Sequence, residues 1–322
     1  MKCLFITNLF LTPAELVNIH LEDKGVLFTH PFNKVFAEKA LSLINWYRFK
    51  SYLYPYLNHS TKEYLPGTEF KNGFDLYLFD CELRELCNKY ILRIEVKAKS
   101  ILDQVITKYL NDPFWYLSDD VFTPNKAPYQ ERMKIKALME KSTQEFAVYY
   151  KNNYTSTKES YRQNPPFWIA IELMSFDSMM KLIAALDTTK FTSSGKNHLN
   201  DFATAMGANT FKEVKSWLYA LKELRNKSSH SSRTWNSNYR LPSGFVDNNN
   251  NIVGTRITIR PTMKNKIYTT LIVLKIMSKT LISPSEKFEV EFKNLINKYS
   301  YISILTHSMG IPSGWDKENI WN

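Results

Sequence analysis

The sequence predicts an all-α protein, mainly a helical bundle, with a small β-hairpin near residues 241–260. Three observations carry that prediction. Apolar residues recur at helical spacing along most of the 322 residues. Only 9 glycines interrupt them, which argues against Gly-rich repeat or collagen-like architectures. The texture changes clearly in one place, after residue 240, where turn residues bracket two short apolar pairs. Hydrophobic residues at 44% and charged residues at 23% are enough for a packed core and exclude wholesale disorder.

Residues 13–23 open the series of helices. Thr12 is a capping residue, Pro13 takes the first helical position, Glu15 lies in the first turn and Gly25 stops the helix. Residues 33–47 carry apolar side chains at 35, 36, 40, 41, 43, 44 and 47, the rhythm of one helix, with Tyr47 in the core. Pro55 and Pro66-Gly67 mark turns. Residues 70–110 hold no proline and one early glycine, and suit one long helix or two stacked ones. On that stretch Arg84 and Glu95 either form a buried pair or lie at solvent. Residues 111–130, with Pro113, Pro124 and Pro128, read as irregular, and Phe114-Trp115-Tyr116 within them as core packing or a stacking surface for bases. Further helices are expected near 130–150, 167–187, 210–229, 262–281 and 285–299. The hairpin pairs Phe245-Val246 with Ile252-Val253 across a polar tip of Asp247 and four asparagines.

No stretch reaches the roughly 18 apolar residues of a membrane span, and the apolar start of the chain breaks at Asn8 without a small-residue cleavage site. Cys3, Cys81 and Cys87 match no zinc spacing and read as buried thiols of a reducing compartment. The six histidines are scattered, so neither a metal nor a cofactor is implied. These features point to the cytoplasm and to no membrane partner. The formal net charge is +11, and it is unevenly placed. Residues 212–279 hold thirteen Lys and Arg against Glu213, Glu223 and Asp247, a net of +10. That concentration points to a polyanion-facing surface without separating RNA, DNA and anionic lipid.

The segment that carries chemistry lies at residues 211–236. Phe211, Val214, Trp217, Leu218 and Leu221 form one apolar stripe, and Arg225 falls on it, seven positions after Leu218 and four after Leu221. A guanidinium there is costly unless it is paired or lines a site. The alternative is an Arg that snorkels at the helix end and binds the last carbonyls. His230 follows about 140° round and about 7.5 Å along an ideal helix. The two share a face only where the helix ends or bends near Ser228-Ser229, or where a second subunit completes the site. Such a pair suits RNA cleavage without metal. An imidazole takes or gives the proton of the ribose 2′-hydroxyl or leaving oxygen, and a permanently charged guanidinium stabilises the phosphorane-like transition state.

Leu224-Arg225-Asn226-Lys227-Ser228-Ser229-His230, followed by Arg233-Thr234-Trp235-Asn236, resembles the LRNxxxH…RxWN signature of Abi-like proteins of the AbiD/AbiF type, phage abortive-infection proteins of the HEPN ribonuclease superfamily. Residues 44–52 are similar to that family's NYYRLSGY segment, and residues 77–84 to its YxFDxxLR helix. Residues 166–176 resemble its PxWxxxExLSFG stretch, and Met309-Gly310-Ile311-Pro312 with Trp315 and Trp321 its C-terminal ending. The chain departs from the pattern at Asp177 for Gly, Ser229 for Ala, Ser231 for a second His and Lys99 for Arg.

The resemblance implies a HEPN-like core, with residues 1–65 an N-terminal helical region, 66–240 the helical core bearing the Arg-x4-His motif, and 241–322 a hairpin and C-terminal helices packed on it. It implies a metal-independent endoribonuclease toxin acting in phage defence and associated with a small RNA. Arg225 and His230 are its catalytic residues. Asn226 joins them to orient the phosphate or the imidazole, with helix capping as its alternative. One motif per chain implies a homodimer. Lys227, Arg233, Arg48, Arg240 and Arg256 are the candidate RNA contacts. Two alternatives stand beside this reading: a non-catalytic RNA-binding protein in complex with a structured non-coding RNA, and a DNA-binding regulator using the basic hairpin region.

Overall fold

A computed structural model describes residues 10–154, 164–246, 249–282 and 287–322. Cys3 and the Asp247 tip lie outside the described residues. Among the described residues the fold is mostly α-helical, with two small antiparallel hairpins. It divides into two compact units, one comprising residues up to Leu83 with Leu295–Leu305, the other Arg84–Asn294 with Thr306–Asn322. No described helix is long and apolar enough to cross a membrane. Cys87 is buried and Cys81 is half-buried.

In the first unit, α1 (Pro13–His20) starts as its sequence dictates: the Thr12 hydroxyl accepts from Glu15 N, and the Glu15 carboxylate accepts from Thr12 N at 2.7 Å. The single helix expected over residues 33–47 is instead two, α2 (Lys34–Leu43) and α3 (Trp46–Leu53). Asn45 causes the break. Its Oδ1 accepts from Tyr47 N at 2.9 Å, which makes it the cap of a new helix rather than a member of the old one. The new register corrects the placement of Tyr47, which is 71% exposed beneath the Lys50 ammonium, while Phe49, Tyr52 and Leu53 face the core. Val17, Leu21, Ala37, Leu41, Phe49, Leu53 and Phe70 form that core. The helix α4 (Phe70–Leu110) is one continuous rod of 41 residues. Its Gly73 lets α3 approach closely, because a Cβ there would stand 2.6 Å from the Leu53 side chain.

The second unit begins on α4 and continues through α5 (Tyr129–Lys141), α6 (Glu145–Asn153), α7 (Phe167–Leu173) and α8 (Phe176–Ala185). The expected helices at 130–150 and 167–187 are thus each split, the second because Ser175 caps α8 by accepting from Ser178 N. Trp115 and Tyr116 are buried and Phe114 is half-buried, so most of the aromatic run is core. A short hairpin, β1 (Thr192–Ser193) with β2 (Lys196–Asn197), and α9 (Leu199–Ala205) precede α10 (Phe211–Ser229). α11 (Ile267–Ser278) is buried from Ile267 to Met277, and α12 (Phe288–Lys298) and α13 (Leu305–Ser308) follow. α10 packs against α8, α9 and α11. Inside α11, the fully buried Lys275 pairs with Glu289 at 2.5 Å.

The second hairpin is where the sequence places it but folds on a different turn. β3 (Asn249–Ile252) pairs with β4 (Thr255–Thr258), Asn251 opposite Arg256, around Val253-Gly254. Both turn residues have positive φ, 49° and 73°, as a two-residue turn matched to strand twist requires. Asn249, Asn250 and Asn251 are strand, not tip, and the Asn250 side chain, accepting from Val246 N at 2.8 Å, ties the incoming chain to it.

Two predictions follow from these contacts. Gly73→Ala raises helix propensity yet forces Leu53 aside, so chemical denaturation should show a loss of about 1–3 kcal/mol; an unchanged midpoint would refute the close approach. Asp177 on α8 holds Lys181 at 2.8 Å and Lys222 of α10 at 2.6 Å, and these bonds hold its carboxyl down from 3.8 to about 2. Because the folded value is the lower, its contribution is complete above pH 3.8 and is lost as pH falls toward 2. Asp177→Asn should flatten unfolding free energy across that window and cost under ~1 kcal/mol at neutral pH, since the carboxylate is half exposed.

Candidate functional site

The site is built at the C-terminal end of α10. Thr210 caps the helix start by accepting from Glu213 N. Phe211, Val214, Trp217, Leu218, Leu221 and Leu224 are all buried, which confirms the apolar stripe and fixes the rotation of the helix. Arg225 is carried onto the edge of that stripe. Its Nε is buried and has no hydrogen-bond partner. The guanidinium makes no ion pair or ring contact with any described residue, and its Nε donates to none of the last carbonyls.

Those carbonyls are taken by the backbone. His230 N donates to Asn226 O, Ser232 N to Lys227 O at 2.8 Å and Ser231 N to Ser228 O at 3.1 Å. With Ser231 at φ 53°, this is a Schellman closure. The helix therefore stays regular to Ser229 and ends at His230, the condition the spacing of the motif demands. His230 is exposed, and its imidazole has no partner among the described residues. No contact joins Arg225 to His230 within the chain. Asn226 is exposed inside the last turn and does not cap the helix, since the cap residue is His230.

The residues after the helix hold this end in place. Thr234 and Trp235 are fully buried, and Tyr239 donates from its hydroxyl to Thr234 O. Asn236 adopts a left-handed φ of 53°, and its Oδ1 accepts from Lys266 at 2.9 Å. Burial, and then the neighbouring Arg233, push the Lys266 ammonium below its usual range.

The candidate RNA contacts fall into three groups. Lys227 is engaged inside the fold: it donates to Asn238 O at 2.5 Å, pairs with Glu223 at 3.2 Å and lies 3.9 Å over the Tyr239 ring. Arg233 is half-buried beside Lys266. Arg240 and Arg256 are exposed, the first stacked 5.1 Å over Tyr219, the second on β4. Arg48 is exposed on α3 of the first unit. On α4, Glu95 has Lys99 as its ion partner at 3.6 Å rather than Arg84, and the Glu95 Oε2 is buried without a hydrogen bond. No group of three or more His, Cys, Asp or Glu among the described residues could hold a metal ion.

Sequence reasoning missed Ser228. It is buried, and its Oγ has no hydrogen-bond partner. The signal was present: Ser228 lies seven positions after Leu221, within about 20° of the same stripe as Arg225.

A family model described as Abi-like protein matches residues 39–236, from the second half of α2 to the Asn236 that Lys266 holds. Comparison with curated proteins and with solved structures finds no match.

The helix closure yields its own prediction. Ser231 occupies a backbone region that favours glycine. Ser231→Gly should raise the unfolding free energy by up to ~1 kcal/mol; destabilisation in thermal or urea unfolding would contradict the closure.

Proposed function

The chain belongs to the Abi-like protein family, and on that premise we propose that it is an abortive-infection, phage-defence protein that acts as a metal-independent endoribonuclease on a HEPN-type helical core. The observation that supports this most directly is the state of two side chains at one helix end: a guanidinium with a buried, unpartnered Nε, and an exposed imidazole free of internal contacts. The imidazole of His230 accepts the 2′-hydroxyl proton as the 2′-oxygen attacks phosphorus. Arg225 neutralises the charge that accumulates on the non-bridging oxygens. The bond from phosphorus to the 5′-oxygen then breaks, and that oxygen leaves with a proton. The products carry a 2′,3′-cyclic phosphate and a 5′-hydroxyl.

A homodimer belongs to the same proposal. One chain supplies one Arg225 and one His230, and they do not touch within it. Two copies bring one imidazole to accept a proton and another to donate one. Asn226, exposed between them in the sequence, orients the phosphate or the ring. Arg240 and Arg256 are exposed and carry the charge that phosphate contacts need, and a small RNA that restrains the protein is a partner of matching chemistry.

The test is cleavage of RNA by purified protein in the presence of EDTA. Wild type should give cyclic-phosphate ends, and Arg225→Ala and His230→Ala should each lose about 100-fold or more in rate. Equal cleavage by both variants would remove the mechanism. Tightly bound RNA with no cleavage would leave a non-catalytic RNA-binding protein.

A further inference from the structure

We propose that the outward face of α3 is a docking platform for single-stranded RNA, on which Tyr47 and Tyr54 stack against unpaired bases while Lys24, Arg48 and Lys50 meet the phosphates. The platform lies in the first unit and uses none of the Arg225 and His230 chemistry. Its choice of RNA over DNA rests on the ribonuclease reading; its choice of an unpaired strand does not.

The sequence already sets this segment apart. Residues 39–62 hold no Asp or Glu and carry Lys39, Arg48, Lys50 and Lys62. Within them, the burial of Phe49, Tyr52 and Leu53 fixes the rotation of α3. That rotation turns Tyr47, Lys50, Ser51 and Tyr54 outward together, because on a helix the last three fall within about 60° of the first. Tyr47 is 71% and Tyr54 57% exposed. They stand two turns apart, about 10 Å along the axis. The Lys50 ammonium lies 4.0 Å over the Tyr47 ring, and Arg48, the next residue in the chain, is exposed. Burial, and then the Lys24 and Lys50 ammonium groups, hold the His20 imidazole below its usual range, which puts both cations near one ring. That ring stacks on Trp46 of α3 at 5.2 Å. Lys24, Arg48 and Lys50 have no ion-pair partner among the described residues; Glu22, two residues before Lys24, pairs with Lys34 instead.

Uncompensated cations beside exposed rings fit a polyanion that also carries flat apolar faces. An unpaired RNA strand is such a ligand, since its phosphates meet the cations and every base offers a π-face. A duplex keeps those faces within its own stack. An anionic membrane fits less well, because the outward face of α3 carries no aliphatic side chain to enter the acyl region.

The test is binding by full-length protein carrying His230→Ala, which keeps the probe intact on the ribonuclease reading. The probes are a short uridine-rich RNA strand, the DNA strand of matching sequence, the RNA annealed to its complement, and phosphatidylcholine vesicles containing phosphatidylserine. The RNA strand should bind most tightly. Tyr47→Ala should weaken it about tenfold and Tyr47→Phe less than about twofold, since stacking needs the ring and not the hydroxyl. Lys50→Gln should reduce the slope of log affinity against log salt by about 0.7, the signature of one lost phosphate contact. Thermal unfolding of Tyr47→Ala should match that of its parent, so that a loss of binding reports the surface and not the fold. Absent RNA binding, or parent-like binding by both Tyr47→Ala and Lys50→Gln, would overturn the platform, as would equal binding of the duplex or a preference for the vesicles. Tighter binding of the DNA strand would overturn the choice of RNA. The ribonuclease reading fails separately, through full cleavage by Arg225→Ala and His230→Ala, whatever Tyr47→Ala does to binding.

Discussion

The rotation of α10 about its own axis is the constraint on which the site depends. Six large apolar side chains from Phe211 to Leu224 lock that rotation against α8, α9 and α11. Once it is locked, the chain has no freedom over which residues of the last turn face inward. Arg225 is about 40° and Ser228 about 20° from the direction of Leu221. Both are drawn toward the core although neither is apolar. Asn226 and Ser229 point outward for the same reason. The buried stripe thus supplies the stability that offsets two orphaned polar atoms, each costing about 1–3 kcal/mol.

The closure after Ser229 is the second half of that constraint. A helix continued past His230 would swing its side chain around the axis and leave the last carbonyls open. The Ser231 turn ends the helix, and the burial of Thr234 and Trp235 a few residues later prevents the end from fraying. The Arg-x-Trp-Asn run that accompanies the motif is therefore mostly structural. Its Trp anchors, its Asn supplies a left-handed backbone and an acceptor for Lys266, and its Arg sits half-buried beside that lysine.

Much of this was legible in the sequence, and the failures have identifiable causes. The stripe, the cap at Thr12 with Pro13 after it, and the helical character of residues 70–110 are written in the sequence, whereas spacing left open whether that stretch is one helix or two. Asn45 and Ser175 fell within apolar rhythms, and periodicity cannot show that a polar side chain has turned to cap a new helix. Tyr47 was misplaced because its register was inherited from the wrong helix. Val253 at positive φ is a costly choice for a β-branched residue, so the hairpin turn was looked for at the asparagines. The concentration of thirteen cations along residues 212–279 did not become one free surface. Lys222, Lys227 and Lys266 are engaged by Asp177, Glu223 and Asn236, and Lys275 lies in the core. Proximity along a chain fixes charge density in sequence, and only packing decides which charges face solvent.

Lys275 and Arg225 together sharpen the meaning of an unpartnered cation. Both sit on helices packed against each other; Lys275 is fully buried, and Arg225 is half-buried with its Nε removed from water. At Lys275 the fold brings Glu289 to 2.5 Å, so the buried charge is met from within. At Arg225 it brings no carboxylate and no carbonyl to Nε. The same chain that answers one buried cation internally leaves the other unanswered, at the end of a helix, beside an unanswered hydroxyl. Selection for stability alone would place a methionine or leucine there, since an apolar side chain of that volume costs nothing in desolvation. On the proposed function, an RNA phosphate is the external partner of that guanidinium, as its permanent charge suits an anion.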